Sequence, residues 1–263
     1  MSENCNLKIA GTPLEMLPMR FEVRPLEFSP PTVEELEGNI VQIWQGNLPD
    51  RERDVAVWFK MLSPDERDRA NRYYFERDRA RFVAGRGRLR SLLGCYLNLD
   101  PQDIQFIYSD RGKPQLPSSS NPYNITFNVS HSHDLVLYAV AQSYPLGIDL
   151  ELMRPLPTAE KLAERFFTPT EAAVLQALPL EEQQLAFFRG WTRKEAFLKA
   201  TGVGITQLQS VRVSLQKTAV LERVSQDERR QDWILADLPL PSAYVGAIAV
   251  KATAVQFQGF KLN

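Results

Sequence analysis

The chain is poor in the residue types that mark metal or disulfide scaffolds. Cysteine occurs only twice, at Cys5 and Cys95, far apart and with no CxxC or Cys/His spacing, which argues against a disulfide framework and against a zinc site. Histidine also occurs only twice, as His131 and His133, with no third histidine and no nearby cysteine to complete a metal set. Neither sign of charge is in real excess, with 31 Lys and Arg against 32 Asp and Glu, so nothing draws the whole molecule to nucleic acid or to a membrane surface. No apolar run approaches the roughly 18 residues of a membrane span. The opening stretch MSENCNLKIAGTP has no basic segment leading into an apolar one, so a soluble cytoplasmic protein in a reducing compartment is expected.

Against these absences stands a 263-residue chain with 44% apolar content, enough to bury one large core or two modest ones. Residues 1–37 are rich in proline and acid and show little periodicity. They read as an N-terminal extension laid over the surface or partly disordered, without chemistry of its own. NIVQIWQG then alternates as a strand, and Ser63 at an N-cap with Pro64 behind it opens a long polar helical region to about Leu97. DIQFIYSD, ITFNVSH and LVLYAVAQ read as strands separated by the turn chemistry of DRGKP and SSSNPYN. After LGIDLEL the order recurs, with helices in TAEKLAERFF, TPTEAAVLQAL and from about Glu182 to Ala200, then strands in VRVSL, DWILADL and YVGAIAV.

A shift of about 105 residues superposes Ser63-Pro64 on Thr168-Pro169, Glu66 on Glu171, Phe82 on Phe187, Gly85 on Gly190, Arg88 on Arg193 and Leu93 on Leu198. The spacing predicts an α+β protein of two similar halves, each a group of helices on an antiparallel sheet, related by a pseudo-twofold axis with a cleft between them. The expected division is an N-terminal subdomain over 38–146 and a C-terminal one over 147–263. A cleft between such halves is a natural ligand site.

GIDLE ends an apolar stretch with two carboxylates. Asp149 and Glu151 are two apart on a strand and leave the same face within roughly 7 Å of each other. Two readings stay open from this stretch alone: a solvated strand end, or a site for a hard divalent cation that combines carboxylates with phosphate oxygens and water. On the helix FFRGWTRKEAFLKATG, Glu195 and Lys199 share a face, either as an ordinary surface pair or as further members of that set. The segment from Arg67 to Arg90 carries nine arginines against three acids, Asp68, Glu76 and Asp78. Its arginines are a solvated helix face, a nucleic-acid contact, or forks of which a few bind phosphate. DRGKP places Arg111 and Lys113 around a glycine turn that an anion can approach closely, and FNVSHSH adds Ser130 and His131.

FNVSHS, GIDLE and WTRKEAFLKATGVG, in this order, resemble the Sfp-type 4′-phosphopantetheinyl transferases over roughly residues 40 to 250. The combined pattern G-I-D-x-E, then W-x-x-K-E-x-x-x-K, is specific where each motif alone is weak. The resemblance implies a monomer with the 4′-phosphopantetheinyl transferase fold and coenzyme A bound between its subdomains. It implies transfer of the phosphopantetheine arm from coenzyme A to a serine of an apo acyl or peptidyl carrier protein of fatty acid, polyketide or nonribosomal peptide biosynthesis, releasing 3′,5′-ADP. It implies Mg²⁺ as cofactor, held by Asp149, Glu151 and Glu195, and catalytic roles for Glu195, Lys199 and Glu171. Lys199 is also implied at the pyrophosphate, and coenzyme A contacts at Arg69, Arg111, Gly112, Lys113, Pro114, Asn128, Val129, Ser130 and His131. Glu66 departs from the pattern, since some members carry a basic residue there that contacts the nucleotide, a role Arg67 and Arg69 would take. Arg189 and Arg193 are expected by position to meet an acidic carrier. No membrane or nucleic acid is expected as a partner; the rival expectation is a non-catalytic protein that binds nucleic acid through the Arg67 to Arg90 segment.

Overall fold

A strand that is apolar on both faces needs a covering layer on each side. LVLYAVAQ is such a strand, forming β6 (Leu135–Gln142), buried along nearly its whole length. The structure, a computed structural model, describes residues 19–27, 29–49, 55–224 and 228–262. Its first sheet has the order β1 (Phe21–Val23), β12 (Gln256–Lys261), β2 (Ile40–Asn47), β6 and β5 (Ile125–Ser132). The second has the order β10 (Ile234–Asp237), β11 (Tyr244–Val250) and β7 (Leu146–Leu152).

The two sheets lie back to back. Val41, Ile43, Leu137 and Ala139 of the first share one core with Ile148, Leu150, Ile248 and Val250 of the second. The outer face of the first sheet is covered by α3 (Glu76–Leu97), whose Val83, Leu89 and Leu93 cluster with Trp44, Tyr138 and Val140. The outer face of the second is covered by α6 (Leu180–Thr201), through Ala196, Phe197 and Ala200 against Ala247 and Ala249.

The expected α+β architecture of two similar halves is what the chain forms, and the repeat extends to its details. α2 (Pro64–Asn71) and α5 (Pro169–Gln176) begin with the same capping box, Ser63 with Glu66 and Thr168 with Glu171. Each glutamate is buried and pairs with a base on the long helix that follows, Glu66 with Arg90 and Glu171 with Lys194, both at 2.6 Å. Those long helices, α3 and α6, have 22 residues each and end on left-handed caps, Asn98 and Gly202. The three-strand cores match as well, β2-β6-β5 in one half and β7-β11-β10 in the other.

Three features differ from expectation. The first sheet is mixed, because β12 runs parallel to β2 and β1 parallel to β12. Residues 256–261, inside the span expected for the second subdomain, thereby cover the edge that β2 would otherwise leave open. From residue 19 onward the N-terminal stretch is woven into the fold. Phe21–Val23 pair with β12, Leu36 is fully buried, and Arg24 binds Glu35 at 2.6 Å. A three-residue strand is too short to show alternation in sequence; residues 1–18 and 28 of that extension lie outside the described residues. Finally, the long polar helix is broken at residues 72–75, and the strand expected in DIQFIYSD is only β3 (Ile107–Tyr108), paired with β4 (Pro114–Gln115).

The contact that aligns α6 with β7 depends on Gly147. A Cβ there would stand 2.9 Å from the Lys199 carbonyl carbon and still closer to the Ala196 oxygen and the Ala200 nitrogen, all backbone atoms that cannot swing aside. We expect Gly147→Ala to lose about 1–3 kcal/mol or more, as overpacking does. Gly85→Ala, whose Cβ would meet only Leu48 Cδ2 at 3.7 Å, should lose nothing, and urea melts of the two variants make the comparison.

Candidate active site

Alternation along β7 sorts its side chains. Leu146, Ile148 and Leu150 enter the core between the sheets, which leaves Gly147, Asp149 and Glu151 on the side of α6. On α6, Glu195 and Lys199 stand one turn apart. The Lys199 ammonium donates to Asp149 Oδ1 at 2.7 Å, to Ser130 Oγ at 3.1 Å and to the Ile148 carbonyl at 3.3 Å. The Ser130 hydroxyl in turn donates to Asp149 Oδ1 at 2.9 Å, and Ser132 donates to Glu151 Oε2 at 2.9 Å.

The outer edge of β7 faces β5 but is not paired to it by backbone. Its N–H groups at Ile148, Leu150 and Leu152 are accepted by Asn128 Oδ1, Ser130 Oγ and Ser132 Oγ at 2.9, 3.3 and 3.1 Å. Two of its carbonyls accept from lysines, Leu146 from Lys113 at 3.2 Å and Ile148 from Lys199. Three alternate residues of ITFNVSHS, Asn128, Ser130 and Ser132, are thus polar hands reaching to the other half.

Three acids near one lysine create a deficit of positive charge. Burial, then the charge of Asp149, push the Glu195 carboxyl up to about 7, with Glu151 adding and Lys199 opposing. Burial likewise raises Glu151, against the pull of the Ser132 hydrogen bond. Asp149 Oδ2 and Glu195 Oε1 are buried with no hydrogen-bond partner. Among the described residues, however, no three His, Cys, Asp or Glu side chains converge as a ready-made metal cage, so the expected set of Asp149, Glu151 and Glu195 is not closed around one point. Two unpartnered oxygens fit an ion that takes one or two carboxylates and completes its shell with phosphate and water.

Two cavities meet beside this set. One, of about 570 Å³, lies against the first half and is lined by Arg69, Arg81, Arg86, Phe82, His131 and His133 among others. The other, of about 290 Å³, is lined by Arg111, Lys113, Asn128, Glu195, Lys199 and Gly204 among others. Gly112, Pro114 and Val129 are common to both and form the wall between them. Asp149 and Glu151 line neither of these two cavities. Dense surroundings, with the charges of Lys199 and Arg81, hold His131 below its usual range even though its rim is exposed, so a bound anion would favour its proton.

The structure thus gathers Arg69, Arg111, Gly112, Lys113, Pro114, Asn128, Val129, Ser130 and His131 around the cavities and the acid set. Glu171 is not brought to them. Its carboxylate accepts from the Thr168 N–H and hydroxyl, the Val213 N–H and Lys194, so it is spent on capping α5 and tying it to α6. Arg193, expected at the carrier, is fully buried and forks onto Asp237 at 2.8 and 2.5 Å. Several members of the Arg67 to Arg90 segment also turn inward. Arg67 caps the Phe59 and Lys60 carbonyls, Arg88 lies over Trp58, and Arg90 binds Glu66 and the carbonyls of Pro101 and Ile104. Arg67, Arg88 and Arg90 are thus committed to contacts within the fold, where the nucleic-acid reading needs them on an open basic face. Ser132, the partner of Glu151, and Arg86, whose buried Nη1 lacks a partner at the large cavity, were not singled out in the sequence. The signal for Ser132 was its period-two spacing from Asn128 and Ser130.

Residues 145–249 match the 4′-phosphopantetheinyl transferase superfamily, and residues 48–143 match the family described as 4′-phosphopantetheinyl transferase, N-terminal. The chain belongs to the 4′-phosphopantetheinyl transferase superfamily and is a transferase that uses coenzyme A. It is 43% identical over 210 residues to the 4′-phosphopantetheinyl transferase HetI of Nostoc sp., covering 80% of this chain and 87% of the relative. A putative 4′-phosphopantetheinyl transferase of Synechocystis sp. is 37% identical over 202 residues, 76% of this chain and 80% of the relative. The 4′-phosphopantetheinyl transferase Sfp of Bacillus subtilis is 34% identical over 158 residues, 60% and 68%. Among the described residues no helix is long and apolar enough to cross a membrane.

The Lys113 ammonium is lowered from 10.5 to about 8 by burial, reinforced by the charge of Lys199. Between those values the unfolded chain binds more protons, so the penalty of burying the charge is complete below about pH 8 and is relieved as pH rises toward 10.5. Lys113→Met carries no such penalty. The unfolding free energy of the natural chain relative to that variant should therefore climb between about pH 8 and about pH 10; a difference that stays flat in urea melts across this range contradicts the assignment.

Proposed function

We propose that the site moves the 4′-phosphopantetheine arm of coenzyme A onto a serine hydroxyl of an apo acyl or peptidyl carrier protein, with Mg²⁺ as cofactor, in a monomer. The observation that carries this reading is the Lys199, Asp149 and Ser130 cluster with Glu195 beside it, at the cavity wall formed by the 109–114 turn. The first half, to residue 146, supplies the coenzyme cavity; the second, from residue 147, supplies the acids and the lysine.

Arg69 and His131 in the large cavity suit the phosphates of the nucleotide end, since guanidinium forks match phosphate oxygens. Asp149 Oδ2 and Glu195 Oε1, with Glu151 alongside, would hold Mg²⁺, which when bound offsets the charge that builds on the pyrophosphate oxygens. The serine oxygen attacks the phosphorus that carries the pantetheine arm, the bond to the bridging oxygen breaks, and 3′,5′-ADP leaves with that oxygen. Lys199 stabilises the departing phosphate, and the serine proton passes to the Glu195 oxygen not given to the ion, directly or through a water. Positioning of the two substrates supplies much of the remaining rate. Exposed Val203 and Ile205, beside the small cavity, offer the carrier an apolar landing in place of buried Arg193.

Asp149→Ala and Glu195→Gln should each slow transfer at least about a hundredfold, read by mass spectrometry of an apo carrier incubated with coenzyme A and Mg²⁺. Near wild-type rates in both would overturn the metal assignment. In the same variants, the rise in thermal midpoint that Mg²⁺ adds to that of coenzyme A alone should vanish.

A further inference from the structure

Lys113 follows a glycine turn whose shape is set locally. Gly112 takes φ of 77°, the Lys113 N–H binds Ser109 Oγ at 3.1 Å, and the Ser109 N–H binds the Lys113 carbonyl at 3.0 Å. From this fixed base the side chain crosses to the other half. Its ammonium donates to the Lys199 carbonyl at 2.6 Å and to the Leu146 carbonyl at 3.2 Å.

Neither acceptor is incidental. The Lys199 carbonyl lies in the last turn of α6, where carbonyls have no partner within the helix, and a cation there also complements the negative end of the helix. Leu146 opens β7 immediately before Gly147, the residue at which the backbones of α6 and β7 touch. The ammonium therefore grips both sides of the junction that sets how far Lys199 stands from Asp149. Gly112 and Pro114, its chain neighbours, are the wall shared by the two cavities, so the same turn that meets coenzyme A carries the grip.

We propose that Lys113 is a positioning residue: an interdomain cap that holds Lys199 and Asp149 in register with the cavity wall, instead of a direct contact to the phosphates of coenzyme A. The inference rests on the reading of Lys199 as the lysine at the departing phosphate. The capping geometry favours it, because an ammonium that gives two of its three N–H groups to the Lys199 carbonyl and to that of Leu146 at the start of β7 has one left for a phosphate.

The test is steady-state transfer to an apo carrier by the full chain, with coenzyme A varied, in Lys113→Met and Lys113→Arg. The methionine variant should lose on the order of ten- to a hundredfold in kcat while KM for coenzyme A stays within about twofold, and arginine should restore most of kcat. In a Lys199→Ala background, Lys113→Met should cost little further, since the two act as one unit. A rise in KM at constant kcat would make Lys113 a coenzyme contact and overturn the proposal, as would additive losses in the double variant. If the methionine variant does not fold by circular dichroism, Lys113→Gln, which keeps a donor for one carbonyl, is read by the same criteria. A natural chain that transfers nothing with coenzyme A and Mg²⁺ refutes the proposed function itself; an active natural chain with an unaffected Lys113→Met refutes this inference alone.

Discussion

The outer edge of β7 is the constraint around which the site is built. A strand edge presents N–H and C=O groups that must be satisfied, and here the neighbouring sheet approaches without donating its backbone. Side chains take over: Asn128, Ser130 and Ser132 receive the amides, while Lys113 and Lys199 serve two of the carbonyls. Because these hands come from β5, from the 109–114 turn and from α6, satisfying one edge also fixes three separate elements to one strand. The acids and Lys199 thus sit beside a strand edge that five side chains tie to the neighbouring elements.

That attachment makes an otherwise costly arrangement tolerable. Asp149, Glu151 and Glu195 are acids held partly away from water, and their oxygens are only partly answered by Ser130, Ser132 and Lys199. The unmet remainder, seen in the two unpartnered oxygens and in the raised affinity of Glu195 for a proton, is what a cation and a pyrophosphate together would neutralise. In the first half, the places equivalent to Glu195 and Lys199 are Arg90, which closes on Glu66, and Gly94, so the duplicated framework carries its acid set once.

Periodicity made part of this legible. Alternation put Asp149 and Glu151 on one face, the helical turn put Glu195 over Lys199, and the recurrence of Ser/Thr-Pro-x-Glu exposed the two halves. What stayed hidden depends on partners distant in sequence. The role of Ser130 requires both Asp149 and Lys199, which only the folded chain brings to it. Glu171 shows how a buried structural acid imitates a functional one, although its capping box was visible in TPTE. Arg193 failed as a docking residue because helix position does not reveal that Ser214 and Gln216 cover it and accept its hydrogen bonds. The parallel return of β12 has no local signature, since pairing partners 216 residues apart leave no pattern in either strand alone.

The strand β12 carries a temporal consequence. The first sheet is not complete until residues 256–261 have left the ribosome, because they stand between β1 and β2. The edge of β2 therefore lacks its partner until the strands and long helix of the second half have been made. That open edge is the part of the newly made first half best suited to pair with another chain before β12 arrives.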